Sequence, residues 1–222
     1  MSDDVRPRPT SRTLGDLVDE MATATPGAEA LVFCDECLDY AGLKLRVDEF
    51  ARASLAVGIR RGDRVALLLT NRTEWIVAAC AAAKIGAVAA AVSTFSTPRE
   101  LAWALVHSDA AALITLDAFR SRRFLDALRE LCPELDRSVP ALKSTRLPSL
   151  GTVVAVQGRA PAAVFSLPQF LAWGATVDVA PLDAAQQAVT PADICYILYT
   201  SGSTAAPKGV TLAHGAPHRQ RL

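Results

Sequence analysis

Val65-Ala66-Leu67-Leu68-Leu69 is an unbroken apolar run, bounded by Arg64 and Thr70. A strand with one wet face alternates apolar and polar residues, and this run does not alternate. It therefore predicts a strand covered on both faces, as in a parallel sheet. Covering both faces requires helices above and below, and the flanking segments supply them. On the N-terminal side, Asp39 is positioned as an N-cap. The apolar positions Leu43, Val47, Phe50, Ala51 and Leu55 follow at helical spacing, and Gly58 ends the helix. On the C-terminal side, Asn71 and Glu74 stand at capping-box spacing. An alanine-rich helix, Glu74 to Ile85, follows and closes at Gly86.

The same alternation continues along the chain. Ala30 to Cys34 and Cys37 to Tyr40 flank Asp35-Glu36 and read as a small hairpin. Ala87 to Val92 is the next strand. Thr97, Pro98 and Glu100 form a clean helix start, with Leu101, Ala104 and Leu105 on the apolar face. Ala111 to Thr115 is a strand. Phe119 to Cys132 reads as helical, with Phe124, Leu125, Leu128 and Leu131 inward and Pro133 as the stop. Pro133 to Leu150 is read as a connecting loop, Thr152 to Val156 as a strand and Leu167 to Trp173 as a short helix. Gly174 to Ala192 is read as mostly irregular, with a helical turn near Ala184 to Gln187. Ile194 to Tyr199 is the last strand. The expected fold class is α/β: alternating βαβ units forming a mostly parallel sheet with right-handed crossovers.

Composition excludes several functions. The 222 residues carry 23 basic and 23 acidic side chains, so there is no electrostatic footprint for nucleic acid. No apolar stretch is long enough to span a bilayer. The opening, residues 1–12, is polar and lacks the apolar core of a secretory signal, so it is read as a flexible leader on a cytoplasmic protein. The five cysteines, Cys34, Cys37, Cys80, Cys132 and Cys195, have no disulfide-framework spacing. Cys34 and Cys37 form a C-x-x-C on the hairpin, without the second ligand pair that a zinc site needs. No metal ligand is assigned.

The chemistry-bearing segment is Tyr199-Thr200-Ser201-Gly202-Ser203-Thr204-Ala205-Ala206-Pro207-Lys208-Gly209-Val210. It places hydroxyls, glycines and a lysine directly after an apolar strand. Amide N–H groups of a glycine-bearing loop converge on anions, hydroxyls add rotatable donors, and lysine adds a compact positive charge. A loop at the carboxyl end of a parallel strand is also where open α/β sheets bind ligands. It is not a Walker A loop, since Pro207 stands where that pattern has glycine and Gly209 follows the lysine.

The segment resembles the phosphate-loop motif of the adenylate-forming enzymes: acyl-CoA synthetases, luciferase-like ligases and peptide-synthetase adenylation domains. Weaker scaffold similarities are Tyr40-Ala41-Gly42-Leu43, Gly62-Asp63-Arg64-Val65-Ala66, Asn71 and Gly86-Ala87-Val88. The resemblance spans Thr13 to His214. It implies residues 13–214 as a partial N-terminal AMP-binding domain and residues 215–222 as an irregular tail. It implies that Thr200, Ser201, Gly202, Ser203, Thr204 and Lys208 hold the β- and γ-phosphates of ATP. Magnesium would accompany the nucleotide, and coenzyme A would be the acceptor of the full-length enzyme. The implied reaction joins a carboxylic (fatty) acid to ATP, giving an acyl-adenylate and pyrophosphate.

The family's adenine pocket, hinge and catalytic lysine lie downstream of this motif, so no catalytic residue is assigned within the chain. A helix is expected after His214, but Pro217 and a basic stretch stand there. The expectation is thus a truncated ligase portion, inactive alone, with an exposed sheet edge. The alternatives are a non-catalytic nucleotide- or phosphate-binding module, and one half of a split ligase completed by a C-terminal polypeptide. The partners expected are a nucleotide and a carboxylic acid, with no nucleic acid.

Ala205 stands where the family has glycine. If that position requires positive φ, alanine is strained there by about 1 kcal/mol; otherwise the backbone is ordinary. The Ala205→Gly substitution separates the two in a nucleotide-binding assay. Tighter binding marks strain, and unchanged binding marks a tolerated variant.

Overall fold

A computed structural model of the chain describes residues 13–137, 142–200 and 207–216. Helix α1 (Leu14–Ala24) opens the described chain, and the Thr13 hydroxyl accepts from the Asp16 amide as its cap. The hairpin β1 (Glu29–Phe33) and β2 (Glu36–Asp39) follows as expected, with Cys34 at φ 52° in its turn. Asp39 caps α2 (Tyr40–Ala56) by accepting from the Gly42 amide at 2.7 Å. The apolar run forms β3 (Arg64–Leu68), and Val65, Leu67 and Leu68 are buried although they point to opposite faces.

Helix α3 (Thr73–Lys84) leads to β4 (Val88–Ala91), and α4 (Pro98–His107) leads to β5 (Ala110–Thr115). The Thr97 capping box is present with both of its hydrogen bonds. A small hairpin, β6 (Ala118–Phe119) and β7 (Arg122–Arg123), precedes α5 (Phe124–Leu131). A 3-10 turn, Pro133–Asp136, comes next. Then come β8 (Thr152–Ala155), β9 (Phe165–Ser166), α6 (Leu167–Gly174), α7 (Val179–Gln187), β10 (Ile194–Thr200) and β11 (Lys208–Ala213).

Seven strands make one sheet in the order β11-β10-β4-β3-β5-β8-β9. Every pairing is parallel except β10 with β11. Helices α1, α2, α3, α6 and α7 pack together, as do α4 with α5. These groups cover the two faces, as the right-handed rule for β3–α3–β4 and β4–α4–β5 requires when the two crossovers run in opposite directions.

Several local expectations are corrected. Asn71 does not cap α3; Arg72 holds the N-cap position without a side-chain cap. The Glu74 carboxylate is engaged by Arg72 Nε at 2.6 Å and Nη2 at 2.9 Å, so it does not reach back to the cap amide. The predicted helix from Phe119 begins at Phe124, because Arg120 adopts φ 55° and turns the chain into the β6–β7 hairpin. The Phe124 amide then donates to Asp117 O at 2.8 Å, which anchors the helix start. The segment read as irregular after Gly174 contains α7, held by the burial of Leu182. The segment read as a connecting loop after Pro133 opens with the 3-10 turn, and its described residues include buried Leu135, Leu147 and Leu150.

One interaction ties the helical layer together. Lys84, only 2% exposed, donates to Asp19 of α1 at 2.7 Å and to Asp48 of α2. Lys44 also bonds Asp48, and Gln186 of α7 donates to Asp19 at 2.8 Å and to Asp16 at 3.0 Å. Gly15 allows this approach, since a Cβ there would lie 2.9 Å from Lys84 Cα. Removing one partner of a buried ion pair leaves the others desolvated and unmatched. Lys84→Ala is expected to destabilise the fold by about 3 kcal/mol, read as a lower urea midpoint with an unchanged slope.

Candidate functional site

The site is built on β10, whose β-branched and aromatic residues favour a strand. Its partner β4 presents alanines: Tyr196 lies beside Ala89, Ile197 beside Ala90 and Leu198 beside Ala91. These small residues leave room for the larger side chains of β10. Because β10 runs parallel to β4, its C-terminal end lies at the same sheet edge as those of β3, β4, β5 and β8.

Asp193 anchors the opposite end of β10. Its carboxylate accepts two bonds from Arg61 Nη2, both at 2.8 Å, and one from the Thr190 amide at 2.8 Å. Burial alone would raise its pKa, but the Arg61 guanidinium and the Thr190 amide outweigh burial and hold it below the ordinary 3.8. Its carbonyl accepts from the His214 amide at 2.9 Å, which closes the hairpin at its base. His214 is fully buried, and its Nδ1 accepts from the Leu14 amide at 3.1 Å. This hydrogen bond joins the end of the hairpin to the start of α1. Within β10, burial pushes the Cys195 thiol up to about 11, so it stays a neutral packing group.

At the functional end, Tyr199 pairs with Gly209 and Thr200 with Lys208. Directly opposed residues of an antiparallel ladder share a face. The Thr200 hydroxyl and the Lys208 ammonium therefore stand on one side of the last rung, and both residues are exposed. Of the predicted phosphate-binding residues, the structure brings these two together. Ser201, Gly202, Ser203 and Thr204, with Ala205, lie outside the described residues. Lys208 was read as part of a loop and instead starts β11, because Val210 to Ala213 complete an antiparallel ladder with β10.

Contacts from α4 at this end were not anticipated from sequence. The Tyr199 ring meets Trp103 edge-on at 5.5 Å and His107 at 5.8 Å. Burial raises the Tyr199 pKa, so its hydroxyl remains protonated at neutral pH. The available sequence signal was the i,i+4 spacing of Trp103 and His107 on a helix whose apolar face was already assigned. The Arg61–Asp193 pair, far apart in sequence, gave none.

A cavity of about 900 Å³ lies at the other edge of the sheet, near Asp63, Ser149, Thr152, Phe165 and Trp173. Among the described residues, Asp63 is its one charged lining residue, so its chemistry does not suit a polyphosphate. For phosphate oxygens, the donor set of Thr200 and Lys208 is the fitting one. Among the described residues, no group of three His, Cys, Asp or Glu side chains could hold a metal ion.

The AMP-binding enzyme family profile matches residues 18–221. The chain belongs to this family. It is 33% identical over 208 residues to the bovine (Bos taurus) mitochondrial medium-chain acyl-CoA ligase ACSF2, covering 92% of this chain and 34% of that protein. It is 34% identical over 205 residues to the putative acyl-CoA synthetase YngI of Bacillus subtilis (strain 168), covering 91% of this chain and 37% of that protein. The chain thus spans about a third of the length of these curated relatives. Its fold matches the anthranilate CoA ligase AuaEII, solved in complex with anthranoyl-AMP, at a TM-score of 0.73 and 24% identity, over 94% of this chain and 36% of that one. It also matches a Mycobacterium tuberculosis fatty acyl CoA synthetase at a TM-score of 0.69 and 23% identity, over 93% and 36% of the two chains. The mostly parallel sheet of this family member therefore shares the fold of about a third of each of these solved ligases. Among the described residues, no helix is long and apolar enough to cross a membrane.

Because the folded pKa of Asp193 is depressed, its stabilising contribution is present above pH 3.8 and lost as pH falls through the lower folded value. The melting-temperature gap between wild type and Asp193→Asn is therefore expected to be constant near neutral pH. It should shrink below pH 3.8 in a thermal-unfolding series.

Proposed function

We propose that residues 13–214 form the ATP-gripping N-terminal portion of a carboxylic acid–CoA ligase, with a fatty acid as the acid substrate. The observation that carries this reading is the Thr200–Lys208 rung, set at the carboxyl edge of a parallel sheet in an AMP-binding family member. The relatives' printed names, acyl-CoA ligase and acyl-CoA synthetase, support the reaction class.

In this reading, Thr200, Ser201, Gly202, Ser203, Thr204 and Lys208 cradle the β- and γ-phosphates. Hydroxyls and backbone amides donate to phosphate oxygens, and the Lys208 ammonium offsets their charge. As the carboxylate attacks the α-phosphate, negative charge grows on the departing pyrophosphate, and fixed donors stabilise that charge. Magnesium, when bound with the nucleotide, would offset phosphate charge. Lys208 acts as an electrostatic clamp and not as a base. Coenzyme A would accept the acyl group in the complete enzyme, and a cytoplasmic setting is part of this reading.

Calorimetry with MgATP tests the reading. The chain is expected to bind MgATP, and Lys208→Ala is expected to weaken binding about tenfold through loss of a charge-assisted contact. Absence of binding in the wild type would remove the nucleotide assignment. Two further readings are a binding module without ligase chemistry and half of a split enzyme. ATP–pyrophosphate exchange separates them, measured with and without a polypeptide matching the remaining two-thirds of a relative. Exchange that appears only with the added polypeptide favours the split enzyme. Binding without exchange in either case favours the module.

A further inference from the structure

We propose that Trp103 and His107 of α4 are positioning residues for the phosphate hairpin, holding the Thr200–Lys208 rung in the register in which it meets a polyphosphate. This inference rests on the nucleotide reading above.

The geometry has three parts. First, Tyr199–Gly209 is the rung immediately below Thr200–Lys208, so displacement of one displaces the other. Second, that rung is held from the side. Trp103 and His107, four residues apart on α4, stack at 4.5 Å with an interplanar angle of 21°. Together they present their rings to Tyr199, whose hydroxyl lies 3.3 Å from His107 Nδ1 and 3.3 Å from Ala104 O. Gly209 completes the contact. A Cβ there would lie 3.2 Å from Ile197 Cγ2, 3.3 Å from Tyr199 Cε1 and 3.5 Å from His107 Cε1, so a side chain would crowd the rings.

Third, α4 is fixed without help from the hairpin. Its Thr97 capping box is complete, Arg122 Nη1 donates to Ser96 O at 2.9 Å just before it, and Leu101, Ala104 and Leu105 are buried. The rings are therefore a rigid reference and the hairpin is what they locate.

Such a reference is needed because seven residues, 201–207, separate the two strands. Hairpin loops of two to five residues set their own register through turn type, whereas a longer one does not. Packing three rings and a glycine beneath the rung fixes Thr200 and Lys208 before the ligand arrives. Among the described residues, His107 makes no hydrogen bond or ring contact with Thr200 or Lys208; it acts through Tyr199.

The test uses the 222-residue chain, with MgATP and inorganic tripolyphosphate as separate probes. His107 is exposed, so His107→Ala is expected to retain the fold, with its melting temperature within a few degrees of wild type. It is expected to weaken both probes by the same factor, about fivefold. His107→Phe, which keeps the stacked ring, should recover affinity to within about twofold. In a Lys208→Ala background, His107→Ala should add little further loss, because the group being positioned is gone. Wild-type binding with undiminished affinity in His107→Ala overturns the positioning role alone. So does equal, additive loss in the Lys208→Ala background, which would mark an independent contact. If the wild type binds neither probe, the nucleotide reading fails and this inference fails with it.

Discussion

The apolar strand β3 must be dry on both faces, and most of the architecture follows from that requirement. Leu68 points opposite to Val65 and Leu67, yet all three are buried. One side needs α3 and its neighbours, the other needs α4 and α5, and the right-handed crossover rule then sends β4 to one flank and β5 to the other. Alanines make the middle of this arrangement thin. Ala89, Ala90 and Ala91 on β4 and Ala78, Ala79, Ala81, Ala82 and Ala83 on α3 let helix and sheet approach closely. Packing at such small side chains leaves little space for substitution by larger ones.

Charge is used sparingly inside this frame, and where it is used it joins segments distant in sequence. Lys84 sits among Asp19 and Asp48, and Gln186 binds the same carboxylate from α7. Arg61 and Asp193 fix the start of β10 to the loop before β3. His214 receives the first amide of α1. All three couple the N-terminal part of the chain to its C-terminal part. The hairpin that carries Thr200 and Lys208 is thereby supported from its base as well as from the α4 rings beside the Tyr199–Gly209 rung.

That support matters because phosphate recognition is an electrostatic task. Donors aimed at fixed positions stabilise growing charge without first reorganising. The Thr200–Lys208 rung supplies a hydroxyl and an ammonium on one face, at the sheet edge where parallel strands end. The cavity at the opposite edge offers volume, but among the described residues its one charged lining side chain is the acidic Asp63, a poor match for the polyphosphate of the proposed reading.

Local chemistry was enough to foresee the α/β class, the Asp39 and Thr97 caps, the β1–β2 hairpin and the strand β10. Each depends on residues within a few positions of one another, and there periodicity and capping are strong. Asn71 and the segment after Phe119 misled for the same local reason: Arg72 captured Glu74, and Arg120 adopted a left-handed turn, in contexts that spacing does not reveal. The strand β11, the Arg61–Asp193 pair and the rings around Tyr199 were decided in three dimensions. They are contacts between segments dozens of residues apart or more, formed only once helices and strands have packed, and no periodicity along the chain encodes which partner each side chain will meet.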